Sequence, residues 1–246
     1  MDGPVSLRGE PKNPGDLGAV VTLWRRTIAA WAIPEVLQGQ RSDQAAALLR
    51  RYFDIGTEGQ PNFTGSMFER FDGGGDAPHV VDRFTAADMV AVSMLSVDVP
   101  AAAALRILHP GQHHLNDVLA ALPHDLDLVN LDDEHLRHGE QLWKLIRTAG
   151  VGPVTTSKLL ARKRPRLLPV IDTVVKDVLT HPHRGDFYRT LRHQLAADGH
   201  ALHRHIETIR ERADIGSDIS VIRCFDVIVW LVGRDNRVAT IGRGRF

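Results

Sequence analysis

The residues best suited to chemistry lie in and after a glycine-rich turn. Gly150-Val151-Gly152-Pro153 separates two stretches of helical periodicity, and proline favours the first position of a helix. So short a turn makes the two helices pack as a hairpin, and its glycines allow positive φ and close approach by a ligand. The backbone N–H groups of Val154 and Thr155 can then face an anion such as a nucleic-acid phosphate. A glycine turn used only for helix packing is the alternative.

Positive charge is concentrated around this turn. The chain has 30 basic and 30 acidic residues, yet neither Asp nor Glu occurs between positions 141 and 171. We therefore expect a local basic surface that binds a nucleic-acid backbone; a solvated helix face is the alternative. The basic residues of this stretch are Lys144, Arg147, Lys158, Arg162, Lys163, Arg164 and Arg166. Four of these basic residues, in and just after the second helix, are predicted to bind nucleic acid: Lys158, Arg162, Lys163 and Arg164.

One acid follows in an apolar setting. Asp172 stands in the run Leu167 to Val175, just before a predicted helix. A carboxylate there either caps the helix or, partly desolvated near the phosphate-binding turn, is positioned for catalysis.

This order of motifs resembles the helix-hairpin-helix, Gly/Pro-rich, Asp-containing (HhH-GPD) DNA glycosylases. Gly150-Val151-Gly152 matches the family's hairpin, and the segment from Pro169 to Thr173 matches the turn that carries its catalytic Asp, with Asp172 twenty residues after Gly152. The resemblance covers about residues 84 to 180 and extends to 232 as closing helices. It implies an all-α, two-lobed fold with a central helix-hairpin-helix.

The resemblance also implies a reaction. Double-stranded DNA would be the partner, a damaged or modified base would be flipped out, and Asp172 would assist hydrolysis of the N-glycosidic bond. Family members that also cut the strand carry a lysine at the position of Val154, so a monofunctional DNA N-glycosylase is expected. The common Thr-His pair is replaced by Thr173-Val174. A non-catalytic DNA- or RNA-binding protein on the same scaffold is the alternative, and a protein in which the hairpin only packs is a third.

Cofactors are expected to be few. The single cysteine, Cys224, excludes an iron-sulfur cluster or an internal disulfide, and its apolar neighbours predict a buried helical residue. Six histidines fall between 181 and 205, but only His200 and His203 would share a helix face, so no metal site is predicted. The resemblance leaves room for a monovalent cation or Mg²⁺ at the hairpin.

The elements that must position these residues are predicted to be helices throughout. We divide the chain into a flexible tail (1–15), N-terminal helices with a Gly-rich loop (16–83), an HhH-GPD-like helical domain (84–233) and a C-terminal tail (234–246). Helical periodicity runs from Leu17 to Trp31, and Thr85 followed by Asp88 predicts a capped helix start. The other predicted helices are 42–53, 100–108, 113–122, 133–148, 171–180, 184–197, 200–213 and 219–232.

The loop from 54 to 84 is the least regular part. It contains Gly73-Gly74-Gly75 and a short piece, around Phe63 to Phe71, that we predict to be extended. The segment from Phe68 to Asp72 combines apolar anchors with charges and is a candidate to cover a pocket, with a mobile surface insertion as the alternative for the loop. Trp143, Phe68, Phe71 and Trp230 are candidates for stacking on a base, with a core position as the alternative for each. The N-terminus lacks the order of a signal peptide and no apolar run is long enough to span a bilayer, which predicts a cytoplasmic protein without membrane contact.

Overall fold

A computed structural model describes residues 30–39, 41–148, 150–182 and 186–243. Within these ranges the secondary structure is helical and includes no strand, which confirms the predicted all-α class. The predicted tail 1–15 lies outside the described residues, as does nearly all of the predicted helix 17–31. The α-helices are α1 (Ser42–Phe53), α2 (Ala86–Ser93), α3 (Ala101–Ile107), α4 (His113–Ala120), α5 (Asp133–Ile146), α6 (Pro153–Lys163), α7 (Thr173–Val178), α8 (Phe187–Ala213) and α9 (Val221–Arg243).

Most helix starts follow the local signals in the sequence. Thr85 forms a capping box with Asp88: its hydroxyl accepts a hydrogen bond from the Asp88 amide, while the Asp88 carboxylate accepts one from the Thr85 amide at 2.8 Å. Pro153 occupies the first position of α6, as predicted. The two helices predicted at 184–197 and 200–213 form α8, whose backbone leaves helical geometry between Ala197 and His200.

Two predictions about irregular segments were wrong. Around Phe63 to Phe71 the chain forms short 3-10 turns, Thr64–Met67 and Phe71–Gly73, rather than an extended piece. The last helix does not end at 232, because α9 continues through Arg243 and replaces most of the predicted C-terminal tail.

The helices share one hydrophobic core. It contains buried residues from Trp31 to Leu231, so the segment before residue 84 packs together with the later helices. Helix α1 packs on α8 and α9, α6 packs on α2 and α5, and α9 packs on α7. Cys224 is fully buried in α9, as predicted, and burial raises the pKa of its thiol to about 12.

None of the helices in the described ranges combines the length and the apolar character needed to cross a bilayer.

Candidate active site

The predicted hairpin is present between α5 and α6. Gly150 has a φ of +86°, a conformation that residues with a Cβ rarely adopt. Val151 is buried and its amide donates to the Thr148 carbonyl at 2.9 Å, which closes the turn. Gly152 is exposed at the N-cap of α6, and a Cβ placed on it would meet no atom within 4 Å. The start of α6 is therefore open at Gly152, where an anion can approach the helix N-terminus.

Val154 and Thr155 lie in the first turn of α6, and the side chains of both are half-buried. Neither lines the cavity that Asp172 borders. Their backbone N–H groups lie at the open end of the helix, and the role of these groups in binding an anion stays a prediction.

The hairpin is a poor match for Mg²⁺. Residues 147–153 include no carboxylate, and Mg²⁺ is normally held by carboxylates together with water or phosphate oxygens. Mg²⁺ is therefore not assigned to this turn, and a monovalent cation there stays a prediction.

Asp172 is both a helix cap and a cavity residue. Its Oδ1 accepts a hydrogen bond from the Val174 amide at 2.8 Å, which caps α7. Its Oδ2 lies 3.9 Å from Nζ of Lys158, and the side chain retains 22% of its exposure. The two interpretations of this acid, cap and candidate catalyst, are thus compatible.

Helix α6 holds the turn that carries Asp172. The Ser157 hydroxyl accepts a hydrogen bond from the Ile171 amide at 3.1 Å and lies 3.3 Å from the Ile171 carbonyl. The next residue, Lys158, is buried and donates to the Leu95 carbonyl at 2.7 Å. Burial lowers the pKa of its amine, while the nearby Asp172 partly opposes that shift.

Asp172 and Lys158 lie in the wall of a cavity of about 530 Å³. This volume is in the range of small-molecule sites. The wall draws on α1, the loop before α2, the end of α2, α6, α7 and α9, so it exists only when these elements are packed together. Its aromatic members are Tyr52, Phe63 and Trp230, and its other charged members are Arg223 and Asp226.

Arg223 lies at the centre of a buried cluster of charges. Its Nη1 lies 2.5 Å from Oδ2 of Asp226 and its Nε lies 2.6 Å from Oε1 of Glu69. Its Nη2 donates to the Tyr52 hydroxyl at 3.0 Å and to the Gly65 carbonyl at 3.1 Å. Two carboxylates thus share one guanidinium at the cavity wall.

Burial governs the titration of these acids. It raises the pKa of Asp226 to about 7, although Arg223 acts in the opposite direction. Burial also raises the pKa of Glu69, again against the effect of Arg223. The cluster therefore binds a proton more readily than exposed carboxylates do.

The predicted basic surface is wrong for four of its members. Lys158, Arg162, Lys163 and Arg164 are each at most 3% exposed, so none of them can contact a nucleic-acid backbone from this conformation. Replacing them would test folding rather than binding. Lys144 and Arg147, which flank the hairpin in sequence, are exposed.

Three of these buried cations have internal partners. Arg162 lies 3.2 Å from Asp88 and donates to the carbonyls of Phe68, Glu69 and Phe71. Lys163 lies 3.2 Å from the same Asp88. Arg164 lies 2.7 Å from Asp82 and donates to the Val81 and Leu122 carbonyls. The basic stretch therefore secures the loop 54–84 to α6, because buried charges require such partners.

The aromatic candidates separate into two groups. Trp230 lines the cavity, whereas Phe68 is fully buried in the core. Phe71 packs against that core, and Trp143 meets Tyr188 edge-on with ring centroids 5.9 Å apart. The loop contributes Asn62, Phe63, Thr64 and Gly65 to the wall, whereas the segment 68–72 that was predicted to cover a pocket does not line this cavity.

Sequence reasoning missed Tyr52, Phe63, Arg223 and Asp226. A usable signal existed for the last two, because they are opposite charges three residues apart in an otherwise apolar helix. Burying such a pair is costly, so its presence in an apolar helix indicates a candidate functional site. Nothing local distinguishes Tyr52 and Phe63 from ordinary core aromatics.

Comparison with known proteins identifies a family but no activity. Neither the search of curated proteins nor that of solved structures found a match. One family model, described as a family of unknown function (DUF6308), matches residues 45–233. The match includes the hairpin and every charged residue of the cavity wall. The chain belongs to this family of unknown function, DUF6308.

Proposed function

We propose that this protein is a monofunctional DNA glycosylase on a two-lobed helical scaffold. It binds duplex DNA through the hairpin at Gly150 to Gly152 and hydrolyses the bond between a flipped base and its sugar. One observation carries the proposal: Asp172, twenty residues beyond the hairpin, lies in the wall of a cavity of about 530 Å³ beside the ammonium of Lys158.

The cavity suits a base and its sugar. Tyr52, Phe63 and Trp230 provide aromatic surface in the wall, and stacking on such rings stabilises an extruded base. Extrusion costs about a few kcal/mol, which contacts to the DNA backbone and to the base offset.

Asp172 then acts on the sugar. As the N-glycosidic bond breaks, positive charge develops around C1′, and a fixed carboxylate stabilises that charge or orients the attacking water. The Val174 amide holds Oδ1 in place, so the carboxylate is already oriented before substrate arrives. Lys158 balances its charge within the wall, because an unpaired carboxylate there would be costly.

DNA contacts are assigned to the hairpin and not to the buried basic residues. The open N-terminus of α6 offers N–H groups to one phosphate, and the exposed Lys144 and Arg147 supply charge on the preceding helix and at its end. The electrostatic contribution to binding is therefore modest.

Purified protein is incubated with a panel of duplexes, each with one damaged or modified base, and alkali then reveals abasic sites. We expect strand breaks after alkali only, at one or a few of the bases. Asp172→Asn keeps the helix cap but removes the charge, and it should lower the rate by about 10²-fold or more. Asp177→Asn, an exposed change on the same helix, is the matched control.

Inactivity of the wild-type protein across the panel would contradict the proposal. If duplex DNA or RNA were still bound in that case, with equal affinity for Asp172→Asn, a non-catalytic nucleic-acid-binding protein would replace the glycosylase.

A further inference from the structure

A second carboxyl group of the cavity has no role in the hydrolysis proposed for Asp172. Asp226 projects from α9, on the wall formed with Trp230, and its side chain is 5% exposed. Arg223 engages its Oδ2 at 2.5 Å. Hydrogen bonds in the described part of the chain involve that oxygen alone, which leaves Oδ1 able to contact a bound molecule.

Asp172 and Asp226 have different surroundings. Asp172 faces an ammonium, accepts a backbone hydrogen bond and keeps contact with solvent. Asp226 is buried and shares the guanidinium of Arg223 with Glu69, so two carboxyl groups have one cation between them. Carboxyl groups whose environments differ in this way divide acid and base roles in hydrolysis of bonds to sugars.

We infer that Asp226 is the general acid of this site, that it protonates a ring nitrogen of the departing base, and that the substrates accordingly include uncharged bases. The inference rests on the proposed function.

The step balances as an ordinary hydrolysis. The proton of the Asp226 carboxyl moves to a ring nitrogen of the base as the bond from C1′ to the base breaks, and the bonding electron pair stays with the base. Water adds its oxygen to C1′, and the proton lost by that water restores the acid. The products are a free neutral base and an abasic sugar.

Only an uncharged base needs this proton. A base alkylated on a ring nitrogen already carries positive charge and leaves as a neutral molecule without a general acid. The presence of a buried, protonatable carboxyl in the wall therefore favours uncharged bases as substrates.

The charged and titratable groups that face Asp226 come from five elements. Arg223 lies on its own helix, Glu69 on the loop before α2, Tyr52 on α1, Lys158 on α6 and Asp172 at the start of α7. Burial is the largest influence and raises the pKa of Asp226 to about 7, with Asp172 and Glu69 adding to the shift and Arg223 opposing it. A carboxyl with this value is still protonated in a useful fraction near neutral pH.

The test compares two duplexes, one with an uncharged modified base and one with 7-methylguanine, whose ring is cationic. Single-turnover rates are measured for the full-length wild-type protein and for Asp226→Asn, with Asp235→Asn, an exposed change on the same helix, as control. We expect Asp226→Asn to slow release of the uncharged base by about 10²-fold or more and release of 7-methylguanine by less than about threefold. The wild-type rate on the uncharged base should fall as pH rises above about 7, and the rate on 7-methylguanine should not.

An equal loss on both duplexes, or no loss on either, would overturn the inference while leaving the proposed glycosylase intact. Wild-type activity on 7-methylguanine but on no uncharged base of the panel would also overturn it. If Asp226→Asn does not fold, the pH dependence of the wild-type rate tests the inference instead. Rates that change with pH in the same way on the two duplexes would exclude a general acid specific to the uncharged base. Wild-type inactivity on both duplexes and on the rest of the panel would remove the proposed function and this inference together.

Discussion

Nζ of Lys158 lies 3.9 Å from Oδ2 of Asp172, although fourteen positions separate the two residues. Helix α6 presents the lysine, and the hydrogen bond from the Ile171 amide to Ser157 fixes the turn that presents the acid. The pair joins helix α6, which follows the glycine hairpin, to the candidate catalytic carboxylate, so a change in one residue should affect the other.

A double-mutant cycle measures this pair. Lys158→Met and Asp172→Asn, alone and together, should show a coupling energy of about 1 kcal/mol in urea unfolding, because the ammonium is buried and the pair is poorly screened. The exposed pair Arg237 and Asp177, 2.7 Å apart, should give less than about 0.5 kcal/mol in the same measurement. A coupling energy of zero for the first pair would show that Lys158 serves only the Leu95 carbonyl.

Replacing Arg162 should lower stability, whereas replacing Arg147 should weaken DNA binding. Arg162→Met leaves Asp88 and three loop carbonyls with fewer partners, so the free energy of unfolding should fall by about 3–5 kcal/mol. Arg147→Ala, at an exposed position, should change stability by less than about 0.5 kcal/mol but reduce the salt dependence of DNA binding by about one charge. Chemical unfolding and DNA titrations at several salt concentrations measure the two effects. The opposite pattern would mean that Arg162 is accessible to DNA.

The stability of Asp226→Asn relative to wild type should depend on pH. An unfolded Asp loses its proton near pH 4, whereas burial holds the pKa of folded Asp226 at about 7. The wild-type protein therefore has a stabilising contribution below pH 4 that is lost as pH rises to about 7, and asparagine has no such contribution to lose.

Between pH 5 and 8 the difference in unfolding free energy should consequently shift in favour of Asp226→Asn by about 1 kcal/mol or more. Urea unfolding at both pH values measures it, with Asp235→Asn as the control that should show no such shift. A difference that is constant with pH would contradict the raised pKa.

The two glycines of the hairpin should respond differently to alanine. Gly150→Ala forces a Cβ into a φ of +86°, within 3.4 Å of Pro100, and should lower the free energy of unfolding by about 1–2 kcal/mol. Gly152→Ala meets no neighbour and should change stability by only about 0.3 kcal/mol, yet weaken duplex binding because its methyl group covers the start of α6. Unchanged binding for Gly152→Ala would place the DNA contact elsewhere.

The sequence by itself determined the local features of this protein. Helical periodicity and the signals at Thr85 and Pro153 predicted where helices begin, because caps and turns depend on residues within one helical turn of each other. The same locality made the glycine hairpin and the isolated acid Asp172 visible. The end of α9 was missed, because its last turns are polar and lack an apolar face to signal them.

Only the tertiary structure decided which charges face water and which residues share the cavity. A run of basic residues has the same sequence whether it is exposed or buried, and here α2 and the loop 54–84, some eighty positions away, cover Arg162 and Lys163. Tyr52 and Asp226 meet one cavity from opposite ends of the chain through the packing of α1 against α9. Burial and partnership are properties of packed elements, and no pattern within a single segment encodes them.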